Sequence, residues 1–397
     1  IQYLDILKMR LPMSEKKINF FLNDKQVEAK EDETIWQIAN RLGIEIPHLC
    51  HANKPGYRAD GNCRVCMVEV EGERVLAASC IRKPSNNLKV KTSSEKAKKS
   101  RELVFELLLT DQPERDVAHD NDSDFWNWID KVDVKDTRFP KKTPCKPDTS
   151  HPSMAVNLDA CIQCNLCVRA CREVQVNDVI GMAYRGENSK IVFDFDDPMG
   201  DSTCVACGEC VQACPTGALM PSTVVDKDGV GHTTVENKIN SVCPYCGVGC
   251  QIEYNVIDNN IKYVNGVDGP ANKNRLCVKG RFGFDYVSNP ERLTKPLIRI
   301  KEKEKDLHPK INFSNIHEYF KEVTWDEALE YAANGFNELK KKRNGKSNLA
   351  GFGSAKCSNE EAYLFQKLIR TGFNTNNVDH CTRLCHASSV AALLETI

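Results

Sequence analysis

Sixteen of the 20 cysteines fall into four groups of four, and every group contains a Cys-x2-Cys pair. Thiolates are soft ligands for iron and zinc, and short regular spacings are what a shared metal centre requires of several cysteines. Disulfides need no such regularity and occur mainly in short exported chains, whereas this chain has 397 residues. The spacing therefore predicts four metal centres. The four groups are Cys50, Cys63, Cys66 and Cys80; Cys161, Cys164, Cys167 and Cys171; Cys204, Cys207, Cys210 and Cys214; and Cys243, Cys246, Cys250 and Cys277.

The second and third groups share one pattern, Cys-x2-Cys-x2-Cys-x3-Cys, and proline follows the last cysteine of the third group. This is the run found in two-cluster bacterial ferredoxins, in which the fourth cysteine of each run binds the neighbouring cluster. The pattern therefore predicts two 4Fe–4S clusters with exchanged fourth ligands. One cluster is expected on Cys161, Cys164, Cys167 and Cys214, and the other on Cys204, Cys207, Cys210 and Cys171.

The first group has the spacing x12, x2, x13 and predicts a 2Fe–2S cluster, while the fourth, with x2, x3, x26, predicts a further 4Fe–4S cluster. Zinc is the alternative for both groups, because four cysteines also suit a tetrahedral zinc site. Zinc sites usually pair two Cys-x2-Cys knuckles, whereas Cys50 and Cys80 each stand alone. The spacing of the first group therefore favours iron.

The elements around the first group predict a β-grasp domain over residues 13–92. Two short strands are expected at Ile18–Phe20 and Gln26–Ala29, followed by a helix over Ile35–Leu42. A hairpin is expected from Arg64–Glu71 and Arg74–Ala78, after the loop that contains Cys50. Strands, one crossing helix and a cysteine loop are the parts of a plant-type ferredoxin.

The rest of the chain is predicted to contain four further segments, so the fold class is multidomain, α+β followed by α/β. A helical linker at 93–152 includes a helix that begins at Ser94, with an apolar stripe formed by Leu103, Val104, Leu107 and Leu108. The two-cluster ferredoxin is expected at 153–222, and a small β-rich 4Fe–4S domain at 240–297. An α/β domain begins at 298–397, where Thr324 and Ser358 open helices with capping boxes around a strand at Asn348–Phe352.

Composition excludes several classes of function. Lys and Arg number 54 against 55 Asp and Glu, a formal net charge of −1, so nucleic acid and anionic membranes are not expected partners. The sequence has no apolar run of the length of a membrane span and no signal-peptide pattern, and a cytoplasmic protein is expected. Residues 1–12 are interpreted as upstream read-through before a start at Met13, and the end at Ile397 as a cut within an apolar helix.

Four segments carry a resemblance to a known family. Cys243–Cys250, with the sequence CPYCGVGC, and Leu276–Gly283 resemble the cluster motif of molybdopterin-dinucleotide oxidoreductases. Asn289–Leu297 resembles the segment that leads into their pterin-binding domains, and Val378–Val390 is similar to the active-site segment of formate dehydrogenases. From Met13 onward the chain resembles the front part of the catalytic (alpha) subunit of NAD-linked formate dehydrogenases, over less than half of that subunit.

This resemblance implies oxidation of formate to carbon dioxide at a molybdenum bis-molybdopterin guanine dinucleotide centre. Cys385 stands where the molybdenum ligand of the family sits, His386 where its active-site histidine sits, and Lys279 between the fourth cluster and a pterin. Electrons are then expected to pass through the 4Fe–4S and 2Fe–2S clusters to a partner subunit that binds flavin and NAD.

Two alternatives remain open. An electron-transfer subunit of a complex I-like or hydrogenase-type assembly would share the first three cysteine groups, but the segment Cys381–Val390 argues against it. Another molybdopterin oxidoreductase, such as a nitrate reductase, would place a different residue after the metal-binding cysteine, so His386 favours formate.

One departure from the related subunits concerns the linker. Many of them carry a further cluster on a His-x3-Cys-x2-Cys-x5-Cys motif after the first domain. Here Gln112, Asp116, His119 and Phe125 stand at the four ligand positions, and none has the expected residue type. The sequence therefore predicts that this additional cluster is absent, and the isolated Cys145 lies too far along the chain to replace a ligand.

Iron content tests the four-centre prediction. One 2Fe–2S and three 4Fe–4S clusters correspond to about 14 iron atoms per chain, and we expect that content after anaerobic reconstitution with iron and sulfide. Iron, zinc and acid-labile sulfide are to be measured in the same sample. A content of about four iron atoms, as for a single cluster, or stoichiometric zinc would contradict the prediction.

Overall fold

The computed structural model describes residues 17–226, 231, 235–301, 310–342 and 348–396. The read-through segment 1–12 and the start at Met13 lie outside these described residues. The chain divides into two compact units. The first comprises Ile1–Asn237 with Lys273–Val278, and the second comprises Lys238–Asn272 with Lys279–Ile397.

A mixed five-stranded sheet with the strand order β2-β1-β5-β3-β4 opens the first unit. β1 pairs antiparallel with β2 and parallel with β5. In the parallel pair Phe21 lies opposite Lys89, so the sheet joins segments that are almost 70 residues apart in the sequence. The two strands and the helix expected here are confirmed, whereas β5 was not predicted. The elements are β1 (Lys17–Leu22), β2 (Lys25–Lys30), α1 (Ile35–Arg41), β3 (Met67–Val70), β4 (Ala77–Ala78) and β5 (Lys89–Lys91).

Helix α1 packs on this sheet and begins at a capping box. The Thr34 hydroxyl accepts a hydrogen bond from the Gln37 backbone N–H, and the Gln37 side chain accepts one from the Thr34 N–H. Both bonds satisfy backbone donors that the first helical turn leaves without partners. The buried core between helix and sheet includes Phe20, Ile38 and Val68, and also the thiols of Cys66 and Cys80.

The linker folds as two helices, α2 (Glu95–Leu108) and α3 (Asp124–Val132). The predicted apolar stripe on α2 is wrong in part, because Leu103 and Leu107 are 36% and 49% exposed. The buried positions of α2 are Ala97, Arg101 and Phe105 instead. The buried face of a helix is the one that meets other elements, and here α2 meets β3 and α3.

The cysteine-rich part of the first unit is built from short elements. β6 pairs antiparallel with β9, and β7 pairs antiparallel with β8. The helices α4 and α5 are only four and five residues long, and a π-helical turn, Ala170–Val174, continues α4. The elements are β6 (Met154–Val156), α4 (Leu166–Arg169), β7 (Ile180–Ala183), β8 (Lys190–Phe193), α5 (Glu209–Ala213) and β9 (Leu219–Pro221).

The second unit begins with a three-stranded sheet of order β10-β11-β12. Later, β13 pairs antiparallel with β14, and β15 pairs in parallel with β16. The capping boxes at Thr324 and Ser358 are confirmed, as is a strand between the two helices, although it begins at Gly351. The elements are β10 (Asn237–Val242), β11 (Gln251–Ile257), β12 (Asn260–Gly266), α6 (Val278–Phe282), β13 (Leu297–Arg299), β14 (Phe320–Glu322), α7 (Trp325–Lys341), β15 (Gly351–Gly353), α8 (Asn359–Lys367), β16 (Val378–His380), α9 (Thr382–Cys385) and α10 (Ala387–Thr396).

Within the residues that the structure describes, no helix combines the length and the apolar character needed to cross a membrane.

Helix α2 offers a matched pair of substitutions that tests its burial. Phe105→Ala removes a fully buried ring and should lower the stability of the first unit by about 3–5 kcal/mol, whereas Leu103→Ala on the exposed side should change it by at most about 0.5 kcal/mol. Chemical denaturation followed by the fluorescence of Trp126 and Trp128 in α3 measures both. Equal effects of the two substitutions would contradict the observed burial of α2.

Candidate metal centres and candidate active site

The first cysteine group lies in the loops that adjoin β3 and β4 of the five-stranded sheet, and all four of its thiols are buried. Cys50 is in the loop between α1 and β3, Cys66 directly precedes β3, and Cys80 follows β4. The Cys50 backbone N–H donates to Cys63 Sγ at 3.4 Å, and Cys66 Sγ lies 3.4 Å from Cys80 Sγ. Four buried thiolates this close would repel one another strongly, so the group suits a cationic metal centre.

Hydrogen bonds between the thiols of this group shift their pKa values in opposite directions. Bonds from Cys63 and Cys80 lower the pKa of Cys50, whereas the bonds to Cys50 raise the pKa of Cys63 and of Cys80. Metal binding at this group would displace the remaining thiol protons into solvent, because the ligand form of cysteine is the thiolate.

The first three cysteines of the second group and the last cysteine of the third group share one cavity. Cys161, Cys164, Cys167 and Cys214 line it together with apolar side chains such as Ile191 and Leu219. Burial raises the pKa of Cys161 to about 12 and raises the pKa of Cys164 and Cys167 as well. Thiols in such surroundings ionise only when a metal compensates the charge.

The first three cysteines of the third group and the last cysteine of the second group share a second cavity. Cys171, Cys204, Cys207 and Cys210 line it with Val179 and Ile180, and the Val179 backbone N–H donates to Cys171 Sγ at 3.3 Å. Each cavity thus takes three cysteines from one run and one from the other. This is the grouping that the spacing of the two runs predicts.

The two runs repeat one backbone geometry. In the second group Gln163 and Asn165 have φ angles of 55° and 61°, and in the third group Ala206 and Gly208 have 54° and 68°. These positions lie two and four residues after the first cysteine of each run. Left-handed backbone is costly for Gln and Ala, so the strain at Gln163 and Ala206 indicates that the loops are shaped to point their thiols into the cavities.

The positions of the additional cluster of related subunits are occupied by structural contacts. Phe125 is fully buried, its ring centroid 6.2 Å from that of Phe105, while Asp116 is exposed. Gln112 Nε2 donates to the Ala160 carbonyl at 2.8 Å, and His119 Nε2 lies 2.8 Å from Asp159 Oδ1. The structure therefore does not bring these four side chains together, and two of them hold the loop that precedes Cys161.

Two buried arginines next to the first group were not identified from the sequence. Arg101 on α2 donates to the Met67 carbonyl, next to Cys66, through Nε at 3.1 Å and Nη2 at 2.8 Å. Arg169 on α4 donates through Nη2 to the Cys50 carbonyl at 2.6 Å. No sequence pattern would have found either residue, because both contacts connect segments far apart in the chain.

The fourth group is divided between the two units. Cys243, Cys246 and Cys250 belong to the second unit, where the Cys243 N–H donates to the Cys250 carbonyl at 2.9 Å. Cys277 belongs to the segment Lys273–Val278 of the first unit, where the Leu276 carbonyl accepts a hydrogen bond from Gln175 Nε2 at 3.5 Å. The contacts of Cys243, Cys246 and Cys250 are therefore described within the second unit, and those of Cys277 within the first unit.

Lys279 follows this segment at the start of α6, and its side chain is exposed. Its backbone carbonyl accepts a hydrogen bond from the Gly283 N–H at 2.9 Å, and the Gly283 carbonyl accepts one from the Tyr245 hydroxyl. A Cβ at Gly283 would lie 2.6 Å from the Lys279 carbonyl oxygen, so glycine is required for this approach. The Cys243–Cys246 loop is thereby held to α6.

Cys385 and His386 lie beyond the carboxyl end of a parallel strand pair. β15 and β16 pair in register from Gly351 with Val378 to Gly353 with His380, and α8 connects them. In open α/β sheets ligands bind outside the carboxyl ends of the strands. Cys385, at the end of α9, and His386 follow β16 within six residues and are both exposed.

Contacts within the second unit fix the loops at this sheet edge. The Ala355 N–H, just after β15, donates to Cys381 Sγ at 3.2 Å, just after β16. The Cys385 N–H donates to the Cys381 carbonyl at 3.0 Å, and His380 Nδ1 lies 2.6 Å from Thr382 Oγ1. Cys381 therefore joins the two loops, and Cys385 remains available to a ligand.

Four family models match the chain in order. Residues 15–95 match the 2Fe-2S iron-sulfur cluster binding domain, and residues 160–218 match the 4Fe-4S dicluster domain. Residues 236–289 match the molybdopterin oxidoreductase Fe4S4 domain, and residues 292–396 match the molybdopterin oxidoreductase domain. The chain thus consists of iron–sulfur domains followed by molybdopterin oxidoreductase domains.

Two curated relatives align along most of the chain. "Probable oxidoreductase YjgC" of Bacillus subtilis (strain 168) is 31% identical over 95% of this chain and 40% of its own length. "Putative formate dehydrogenase SH0748" of Staphylococcus haemolyticus (strain JCSC1435) is 29% identical over 89% of this chain and 38% of its own length. The chain spans about 40% of the length of the curated relatives it matches.

Among solved structures, an NAD+-reducing [NiFe]-hydrogenase in the H2-reduced state matches with 26% sequence identity and a TM-score of 0.48. The match covers 52% of this chain and 87% of that chain.

The packing of Gln112, His119 and Phe125 leads to a spectroscopic prediction. Fully reduced protein should show the electron paramagnetic resonance (EPR) signals of no more than four centres, because Gln and Phe cannot replace thiolate or imidazole ligands to iron. His119→Ala should remove none of these signals, and it should cost about 1–3 kcal/mol of stability through the loss of the contact with Asp159. A fifth signal that disappears in His119→Ala would contradict the assignment.

Proposed function

We propose that this chain is part of the catalytic subunit of a cytoplasmic formate dehydrogenase that oxidises formate to carbon dioxide at a molybdenum bis-molybdopterin guanine dinucleotide centre. The observation that carries the proposal is the placement of Cys385 and His386 beyond the carboxyl end of β16, within the segment that matches the molybdopterin oxidoreductase domain. Three relatives that carry the name "Putative formate dehydrogenase", each 29% identical, support formate as the substrate.

The cysteine groups are proposed to bind one 2Fe–2S and three 4Fe–4S clusters. Two of the cavities are lined by four thiols each and otherwise mainly by apolar side chains, which is the donor set that iron–sulfur clusters use.

Cys385 is proposed to hold the molybdenum, because a thiolate is the soft ligand that such a metal binds and coordination keeps it deprotonated. When bound, the molybdenum centre supplies an acceptor for the two electrons of formate. Oxidation of formate releases carbon dioxide, one proton and these two electrons. The His386 imidazole, next in sequence, can orient the formate carboxylate through a ring N–H or accept the released proton at a ring nitrogen.

The order of the domains supports an electron path away from this site. Electrons are proposed to pass from the fourth cluster to the paired clusters and then to the 2Fe–2S centre, and from there to a partner subunit that carries flavin and binds NAD. Lys279 is two residues after Cys277, and its ammonium group is proposed to lie between the fourth cluster and a pterin, where its charge stabilises added electrons.

Substitution of Cys385 tests the proposal. In the enzyme that contains this chain, Cys385→Ala should abolish formate oxidation, while the visible absorption of the clusters stays unchanged, because no cysteine group includes Cys385. Cys381→Ala, four residues earlier, should retain formate oxidation within about threefold, since the hydrogen bond from the Ala355 N–H to Cys381 Sγ contributes only about 0.5–1.5 kcal/mol to stability.

Three other outcomes would each contradict a part of this proposal. Formate oxidation that persists in Cys385→Ala would exclude this residue from the mechanism. Molybdenum-dependent activity toward another substrate, with none toward formate, would favour a different molybdopterin oxidoreductase. Cluster reduction without any bound molybdenum would favour an electron-transfer subunit.

A further inference from the structure

Arg169 is a buried guanidinium between the first two cysteine groups. Its residue is 2% exposed, and it lies on α4 between Cys167 and Cys171. Nη2 donates to the Cys50 carbonyl at 2.6 Å and reaches the Cys164 carbonyl at 3.4 Å. One side chain therefore contacts a cysteine of the 2Fe–2S group and a cysteine of the neighbouring 4Fe–4S group.

The other contacts of Arg169 hold it in place. Nε lies 3.3 Å from the Asn165 carbonyl, and Nη1 donates to the Arg58 carbonyl. Asp60 Oδ2 lies 3.4 Å from Nε, and the same carboxylate also pairs with Arg58. Carbonyls thus provide most of the partners of this cation, and its carboxylate neighbour is shared with a second arginine.

A buried cation with so little opposite charge is costly unless another negative group compensates it. Each of the two clusters supplies such a group, because four thiolates and the sulfides outweigh the charge of the irons. Nearby positive charge favours the reduced cluster, which carries one more electron, and hydrogen bonds toward the cluster raise the reduction potential in the same direction. Arginine suits the position because its planar fork reaches two carbonyls and stays charged when buried.

We propose that Arg169 is a shared positioning residue that raises the reduction potentials of both the 2Fe–2S centre and the Cys161 centre. It acts through the carbonyls of Cys50 and Cys164, which it holds at a fixed separation, and through its charge. The transfer that it supports moves one electron from the reduced 4Fe–4S centre to the oxidised 2Fe–2S centre, with no bond made or broken. The inference rests on the proposed ligation of these two groups and not on formate as the substrate.

Two other arginines provide comparisons. Arg101 is buried next to Cys66 through its bonds to the Met67 carbonyl, so its charge faces only the first group. Arg172 follows Arg169 by three residues, but its side chain is exposed and pairs with Asp178. Water screens an exposed charge far more than a buried one. The three arginines thus differ in which centre their charge reaches.

The experiment is a redox titration of the 397-residue chain with its clusters in place, followed by EPR. The 2Fe–2S signal is separated from the 4Fe–4S signals because it persists at higher temperature. Arg169→Gln removes the charge but keeps an amide donor, and it should shift the oxidised-to-reduced equilibrium of both centres about tenfold toward the oxidised form, which is 59 mV for a one-electron couple. Arg169→Lys keeps the charge and should shift the potentials by less than half as much.

Two control variants test whether the change in reduction potential is specific to Arg169. Arg101→Gln should lower the potential of the 2Fe–2S centre and leave the Cys161 centre unchanged. Arg172→Gln should leave both unchanged. Unaltered potentials of both centres in Arg169→Gln would overturn the inference, and so would equal effects of Arg169→Gln and Arg172→Gln.

Two further outcomes are also decisive. Loss of both centres in Arg169→Gln and in Arg169→Lys would assign the residue a purely architectural role and overturn the electrostatic one. If the unsubstituted chain binds no iron, the proposed ligation fails, and with it the basis of the inference. An iron-loaded chain that does not oxidise formate would leave the inference standing while contradicting the proposed substrate.

Discussion

The first unit depends on one constraint, the convergence of four cysteine thiols at each of three points, where they would repel one another as thiolates. Its helices α4 and α5 and its strand β4 are too short to be stable alone. Metal binding contributes directly to folding when the site does not exist in the unfolded chain. Iron bound at these points would therefore supply much of the stabilisation that such short elements lack, and it would also explain why left-handed backbone at Gln163 and Ala206 is tolerated.

In the described part of the first unit, packed side chains fill the space between the first and second cysteine groups. Phe105, Phe125 and Trp126 belong to one apolar core that also includes Cys50, Cys63 and Cys164. Gln112 and His119 contact Ala160 and Asp159, directly before Cys161. The linker helices α2 and α3 therefore pack against both the first and the second cysteine group, and this shared core positions the two groups relative to each other.

In the second unit, close packing positions the candidate active site at the ends of two strands. Gly351 allows the close approach of Ile369, because a Cβ there would lie 2.5 Å from that side chain. This packing sets the crossover between β15 and β16, which in turn brings the loops after both strands to one edge. The sheet positions the loops at such an edge, and loops of this kind often hold binding and catalytic residues. Cys385 and His386 lie in this region.

The sequence by itself determined the four cysteine groups, the exchange of the fourth cysteine between the two runs, and the helix starts at Thr324 and Ser358. All of these follow from spacing and local hydrogen bonding, which a short stretch of chain specifies. Only the tertiary structure decided that α2 buries Arg101 and Phe105 rather than Leu103 and Leu107, that β5 pairs with β1, and that Arg169 reaches Cys50. Cys50 and Arg169 are 119 residues apart, and contacts over such separations depend on how whole elements pack, which no local pattern encodes.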